Sequence, residues 1–190
     1  MQSLDSLRTD ALTCCNCSLC ETRTNVVFGS GNPSADLMFI GEAPGAQEDL
    51  TGEPFVGRSG RLLTSLIEGI GLTRDEVYIS NVVKCRPPAN RNPEPGEVAA
   101  CSPIITSQIE HISPKVVVTL GNFATKLLLE TKVGITKLRG TPMAYRDGVL
   151  IPVLHPAAVA RRGAAGLLEA RSDFEAIKLA LSVGPPWNSK

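Results

Sequence analysis

Short apolar runs rich in β-branched residues alternate along this chain with longer stretches of helical period. Residues 35–40, 77–83, 115–120 and 149–154 read as strands; residues 61–70, 97–112, 124–130 and 167–181 read as helices. Unbroken apolar runs such as Val116, Val117 and Val118 predict burial on both faces, the condition of a parallel strand between two helix layers. Strands separated by helices require right-handed crossovers. The expected fold is therefore α/β: a three-layer α/β/α sandwich around a mainly parallel sheet. Pro87, Pro88, Pro93 and Pro95 predict a long ordered loop before the second helix, and Pro185 and Pro186 an end to the last one. No repeat, low-complexity tract or linker divides residues 1–190, so one domain is expected.

The segments just after the strands are more informative than the strands themselves. The first strand runs into Gly41-Glu42-Ala43-Pro44-Gly45, and the second carries Asn81 near its end. The third runs into Gly121-Asn122, the fourth into His155-Pro156. Ligands of open α/β sheets bind outside the carboxyl ends of the strands, so Glu42, Asn81 and His155 are expected to converge on one cleft. An acid in a Gly/Pro turn after a buried strand gains nothing structurally, which favours a functional Glu42. His111, in a helical stretch of mixed polarity, reads as a surface or packing residue. Phe55 stands among small loop residues, where it is either core filler or an aromatic platform for a flat base.

Composition narrows the partners. The 190 residues are 43% hydrophobic and 20% charged, as in globular proteins, and 19 basic residues balance 19 acidic ones. A polycation is excluded; a nucleic-acid site must be a local patch on a neutral body. Arg58, Lys84, Arg86, Arg91, Arg161 and Arg162, with Arg61, Lys137 and Arg139, gather near the motif-bearing loops and are the candidates for that patch. No apolar run reaches the ~18 residues of a membrane span, and residues 1–10 are too polar for a signal peptide. A cytoplasmic monomer without membrane contact is expected.

Six cysteines in a chain expected in a reducing compartment point to metal or redox chemistry more than to disulfides. Cys14 and Cys17 form C-x2-C, and Cys85 and Cys101 supply a second, more widely spaced pair. A two-residue gap turns both thiolates onto one site, and the four together span residues 14–101. A four-thiolate zinc site and a four-iron cluster want the same ligands, and spacing alone leaves both open. Cys15 and Cys20 are surplus to such a site. Gly29-Ser30-Gly31 lacks the third glycine of a dinucleotide fingerprint, and neither a P-loop nor a nucleophile elbow is present.

Several runs together resemble one family. Gly41-Glu42-Ala43-Pro44-Gly45, Gln47-Glu48-Asp49, Pro54-Phe55-Val56-Gly57, the stretch from Val77 to Pro88 ending Lys84-Cys85-Arg86-Pro87-Pro88, Asn90-Arg91 and His155-Pro156-Ala157 are similar to the family 4, iron–sulfur uracil-DNA glycosylases. The resemblance implies a [4Fe-4S] cluster on Cys14, Cys17, Cys85 and Cys101. It implies a uracil pocket lined by Gly41, Glu42 and Ala43, with Phe55 stacking on the base, Asn81 reading its edge and His155 at its O2. Glu42 and His155 would be catalytic, and Glu48 matches a position that crowds the C5 edge. The implied activity is hydrolysis of the deoxyuridine N-glycosidic bond in single- or double-stranded DNA, without a lyase step. One departure concerns the DNA wedge: Ala158, Val159 and Ala160 are small where the family carries bulk. Other readings are a zinc-stapled binding module without catalysis and a superfamily enzyme of shifted base preference, such as hypoxanthine.

Overall fold

The computed structural model describes residues 3–183. Four strands, β2 (Leu37–Gly41), β3 (Tyr78–Asn81), β4 (Val116–Leu120) and β6 (Gly148–Val153), pair in parallel in the order β3-β2-β4-β6. Two short antiparallel strands, β1 (Ser30–Gly31) and β5 (Met143–Tyr145), flank them. All four parallel strands are buried along their whole length, as expected of strands covered on both faces, and β3 takes the polar Ser80 and Asn81 inside with it.

Alternate strand residues feed two cores. Leu37, Phe39, Ile79, Val118 and Ile151 face α3 (Arg58–Gly69), α7 (Pro156–Arg161) and α8 (Gly163–Val183), which contribute Leu63, Ile67, Val159, Phe174 and Ile177. Met38, Ile40, Val117 and Leu150 face α4 (Pro95–Ile112) and α5 (Asn122–Leu128), which contribute Ile105, Ile109 and Ala124. The result is the expected three-layer sandwich. The second layer also receives Leu4 of α1 (Leu4–Leu12). That helix has no clear apolar stripe; it starts at Ser3, whose hydroxyl accepts the Ser6 N–H at 3.2 Å. Two short helices, α2 (Ala46–Thr51) and α6 (Ile135–Leu138), sit in loops.

The helices begin earlier than the apolar period suggests, because their first turns lack large apolar residues: α3 opens with Arg58-Ser59-Gly60-Arg61 and α8 with Gly163-Ala164-Ala165-Gly166. The second strand is shorter than expected. Val82 and Val83 leave the ladder and donate to the carbonyls of Gly41 (2.9 Å) and Glu42 (3.1 Å), drawing the next loop over the end of β2. Pro185 and Pro186 lie outside the described residues. Among the described residues no helix is long and apolar enough to cross a membrane.

Strand order reverses between β2 and β4, so the loops after these two strands part and leave a crevice at their carboxyl ends. Beneath it, Phe39 of β2 stacks on Phe174 of α8 with ring centroids 5.8 Å apart and planes 17° from parallel. Phe39 is fully buried, so Phe39→Ala should cost about 3–5 kcal/mol. Phe174→Ala should couple to it by about 0.5–1.5 kcal/mol in a double-mutant cycle. Denaturant midpoints at constant slope check both values.

Candidate active site

The three strand-end residues expected to converge do meet at this crevice. A cavity of about 630 Å³ is lined by Glu42, Ala43, Phe55, Asn81 and His155, with Glu48 and Arg91 at its walls. Gly41 closes β2, paired with Asn81 at the end of β3. A Cβ on Gly41 would lie 2.3 Å from Asn81 Oδ1 and 2.6 Å from Phe55 Cζ. Only glycine permits this approach.

Phe55 is 6% exposed and belongs to the core, yet it also borders the cavity. Its ring lies 5.9 Å from that of His155, tilted by 39°. Its backbone is left-handed (φ 53°), a conformation that an aromatic residue keeps only when its surroundings impose it. Three contacts do so. Glu48 of α2 accepts the N–H groups of Val56 (3.0 Å) and Gly57 (2.9 Å) while capping its own helix through Gly45 N–H (3.1 Å). Arg74 Nη1 donates to the Phe55 carbonyl at 3.0 Å, and Nη2 to that of Pro54. Gly60 lets α3 pass against the Phe55 carbonyl, where a Cβ would collide. Arg74 is not legible as a site residue in the sequence; nothing distinguishes it locally from any polar loop arginine.

Asn81 is 1% exposed, and its Oδ1 is buried without a hydrogen-bond partner among the described residues. Native interiors rarely leave such an acceptor open. His155 caps α7, and its Nδ1 accepts the Ala157 N–H at 3.2 Å. An accepting Nδ1 places the proton of the neutral ring on Nε2, a donor for the cavity. Burial, aided by Arg161, lowers the His155 pKa and keeps the ring neutral. Glu42 is half-buried on the opposite rim, where burial raises its pKa above the usual carboxylate range.

Beside this cavity a second groove of about 540 Å³ shares Ser59, Ala157 and Arg161 with it and is flanked by exposed Arg58. These two arginines form the cationic rim. Arg91 is engaged by buried Glu97 at 2.6 Å, Arg162 by Glu169 at 2.7 Å, and Arg86 donates to Asn90 at 2.7 Å. Lys84 departs from expectation. It is 1% exposed, and its ammonium is bonded inside the fold, so it is not part of a DNA-contacting face. Val159 is almost wholly buried in the core, and it and Ala160 bring little bulk to the groove.

Cys14 and Cys17, before the helical turn Ser18–Glu21, lie within electrostatic range of Cys101 on α4, and Cys17 and Cys101 within range of Cys85. Cys17 also packs with Cys85 against Leu19 and Val26. Arg23 Nη1 bridges the Cys14 carbonyl (2.6 Å) and Cys85 Sγ (3.3 Å), and Lys84 lies within electrostatic range of Cys101. Among the described residues no three ligand side chains converge tightly enough for one ion, as tetrahedral zinc at about 2.3 Å demands. The four thiols, one of which accepts from the Arg23 guanidinium, are a donor set that fits an iron–sulfur cluster. Cys15 and Cys20 lie close to each other, and Cys15 is the main cause that raises the Cys20 thiol pKa.

A model of the Uracil DNA glycosylase superfamily matches residues 28–177. A Type-4 uracil-DNA glycosylase of Sulfurisphaera tokodaii is 48% identical over 168 residues, covering 83% of this chain and 76% of that protein. Its counterpart in Thermotoga maritima is 50% identical over 150 residues, 78% of each chain. The Saccharolobus solfataricus protein of that name is 45% identical over 195 residues, 97% of this chain and 89% of its own.

The tightest constraint in the cavity is Gly41. Gly41→Ala should reduce any activity at this site by at least about 10²-fold, since misplacement by ~1 Å is that costly. Activity assays beside thermal melts check this; a fully active, fully folded variant would show that the cavity is not the reaction site.

Proposed function

Because this chain belongs to the uracil-DNA glycosylase superfamily, we propose that it hydrolyses the N-glycosidic bond of deoxyuridine in DNA, freeing uracil and leaving an intact abasic site. The observation that carries this reading is the open, buried Oδ1 of Asn81. Leaving such an acceptor unpaired costs about 1–3 kcal/mol, which the N3–H of uracil would relieve. The same amide's NH2 suits uracil O4. Cytosine offers the reverse pattern, an unprotonated N3 and an amino donor, and would leave buried groups unpaired. Phe55 stacks on the base, and the wall braced by Glu48 crowds the C5 edge, where thymine carries a methyl.

The base must first leave the helix stack, at a cost of a few kcal/mol. Arg58 and Arg161, beside the second groove, offset that cost by binding flanking phosphates. Breaking the N1–C1′ bond puts positive charge on the sugar and negative charge on the uracil. The Nε2–H of His155 and the backbone N–H groups of the turn after β2 meet the uracil anion as an oxyanion hole would. Glu42 opposes the sugar cation and takes a proton from the attacking water, which completes the hydrolysis. No lysine lines the cavity, and Lys84 is committed elsewhere, so no Schiff base to the sugar forms and the strand stays whole.

Cys14, Cys17, Cys85 and Cys101 would hold a [4Fe-4S] cluster. Bound there, it supplies cross-links that tie the N-terminal segment to the loop after β3 and to α4. Hydrolysis transfers no net electrons, so the residues of the pocket suffice for the reaction.

Asn81→Ala and His155→Ala should each lower kcat on uracil-containing oligonucleotides on the order of 10² to 10³-fold. Near-wild-type release by both would end the pocket assignment, and nicking without alkali would end the intact-product reading. Glu42 must be ionised and its pKa is raised, so its carboxylate is lost on acidification at a higher pH than a free glutamate's. His155 resists protonation to lower pH than free imidazole. The rate should therefore fall on the acid side, and Glu42→Gln should lower kcat by about 10² to 10⁴-fold and remove the limb belonging to Glu42. The purified protein should contain iron and acid-labile sulfide in equal amounts, both lost in Cys101→Ala; a colourless protein with stoichiometric zinc would contradict the cluster.

A further inference from the structure

Lys84 is among the largest fully buried side chains, and its three donors meet three acceptors: Ser80 Oγ at 2.7 Å, the Asn81 carbonyl at 2.6 Å and Gln108 Oε1 at 2.6 Å. None of the three is a carboxylate. Burying a cation among neutral acceptors is expensive, and an apolar side chain of similar volume often serves stability as well or better. Packing therefore gives no reason for a lysine. Its bond to Asn81 does.

We infer that Lys84 is a positioning residue for base recognition, anchoring the Asn81 main chain from beneath and linking it to the cysteine cluster. The inference rests on the base-reading role proposed above for Asn81. Among the described residues no hydrogen-bond partner holds Asn81 Oδ1, so the direction of the amide depends on its packing against Gly41 and on its own backbone, at the point where β3 ends and the chain turns away. Lys84 grips the carbonyl of that residue. Its own head is fixed in turn by fully buried Gln108, whose Nε2 donates to the Phe28 carbonyl (2.8 Å) and to Tyr78 Oη (3.3 Å), which leaves Oε1 facing the ammonium. At its other end Lys84 is joined directly to Cys85 and lies within electrostatic range of Cys101. One residue thus borders the cysteine site through its backbone and reaches the uracil-reading asparagine with its side chain. A shift of the cysteine loop reaches the pocket in one step.

Lys84→Met, which keeps the volume and removes the donors, is the test. It should retain iron and sulfide, keep KM and the salt dependence of DNA binding, and lose about 10 to 100-fold in kcat for uracil release. Gln108→Met, which leaves Lys84 in place but loosens it, should lose about 3 to 10-fold in kcat with the same retained properties; it carries the test if Lys84→Met does not fold. Wild-type kcat in either soluble variant overturns the inference. So does a loss confined to KM with the salt slope reduced by about one, the mark of a phosphate contact. A loss that tracks missing iron and returns on reconstitution overturns it too, since Lys84 would then serve the cluster alone. Asn81→Ala measured beside them separates the two levels: a fully active Asn81→Ala sinks the pocket itself, whereas inactive Asn81→Ala beside fully active Lys84→Met sinks only the positioning role.

Discussion

Everything at this site depends on how closely two strand ends approach. Gly41 and Asn81 face each other across β2 and β3, and the ring of Phe55 fills the space that a side chain on Gly41 would occupy. That contact brings an aromatic face, an amide and the turn bearing Glu42 within the reach of one flat ring. Bulk at the end of β2 would push Phe55 and Asn81 apart and leave an ordinary sheet terminus. The aromatic residue cannot reach its place in a relaxed backbone. Its left-handed conformation is held by Glu48 on one side, Arg74 on another and α3 through Gly60, so the strain is fixed by surroundings that have no chemical role of their own.

The two groups proposed as catalytic differ in how they are tuned. His155 is kept neutral by burial and by a backbone N–H at Nδ1, which together leave a directed donor without charge. Glu42 sits where desolvation holds its proton more tightly, so it is a better base than an exposed carboxylate once ionised. The pocket is thus prepared for charge that appears only as the bond breaks.

Much of this is readable in the chain itself. The four parallel strands announce themselves by short runs rich in apolar and β-branched residues, and the strand-end rule places Glu42, Asn81 and His155 in one cleft. The paired cysteines are legible from spacing, though spacing says nothing of the looser grouping that disfavours a single ion. The rest needs the fold. The first helix has no apolar stripe to betray it, and the two flanking strands are two and three residues long, too short for any period to register. Lys84 is misplaced by sequence for a physical reason: a lysine in a basic, proline-rich stretch reads as exposed, and only the contact with Gln108, 24 residues away, shows that it is internal. Arg74 and Gln108 escape notice because each acts through tertiary contacts that leave no local mark.

The flanking strands carry a consequence beyond the site. A parallel sheet cut off at β3 and β6 would offer long rows of open backbone groups to any passing chain. Here one margin is closed by Ser30 and Gly31, the other by three residues beside β6. Strands this brief give a stray segment almost nothing to zip onto, so the fold carries its own guard against edge-to-edge aggregation while its most apolar strands stay inside.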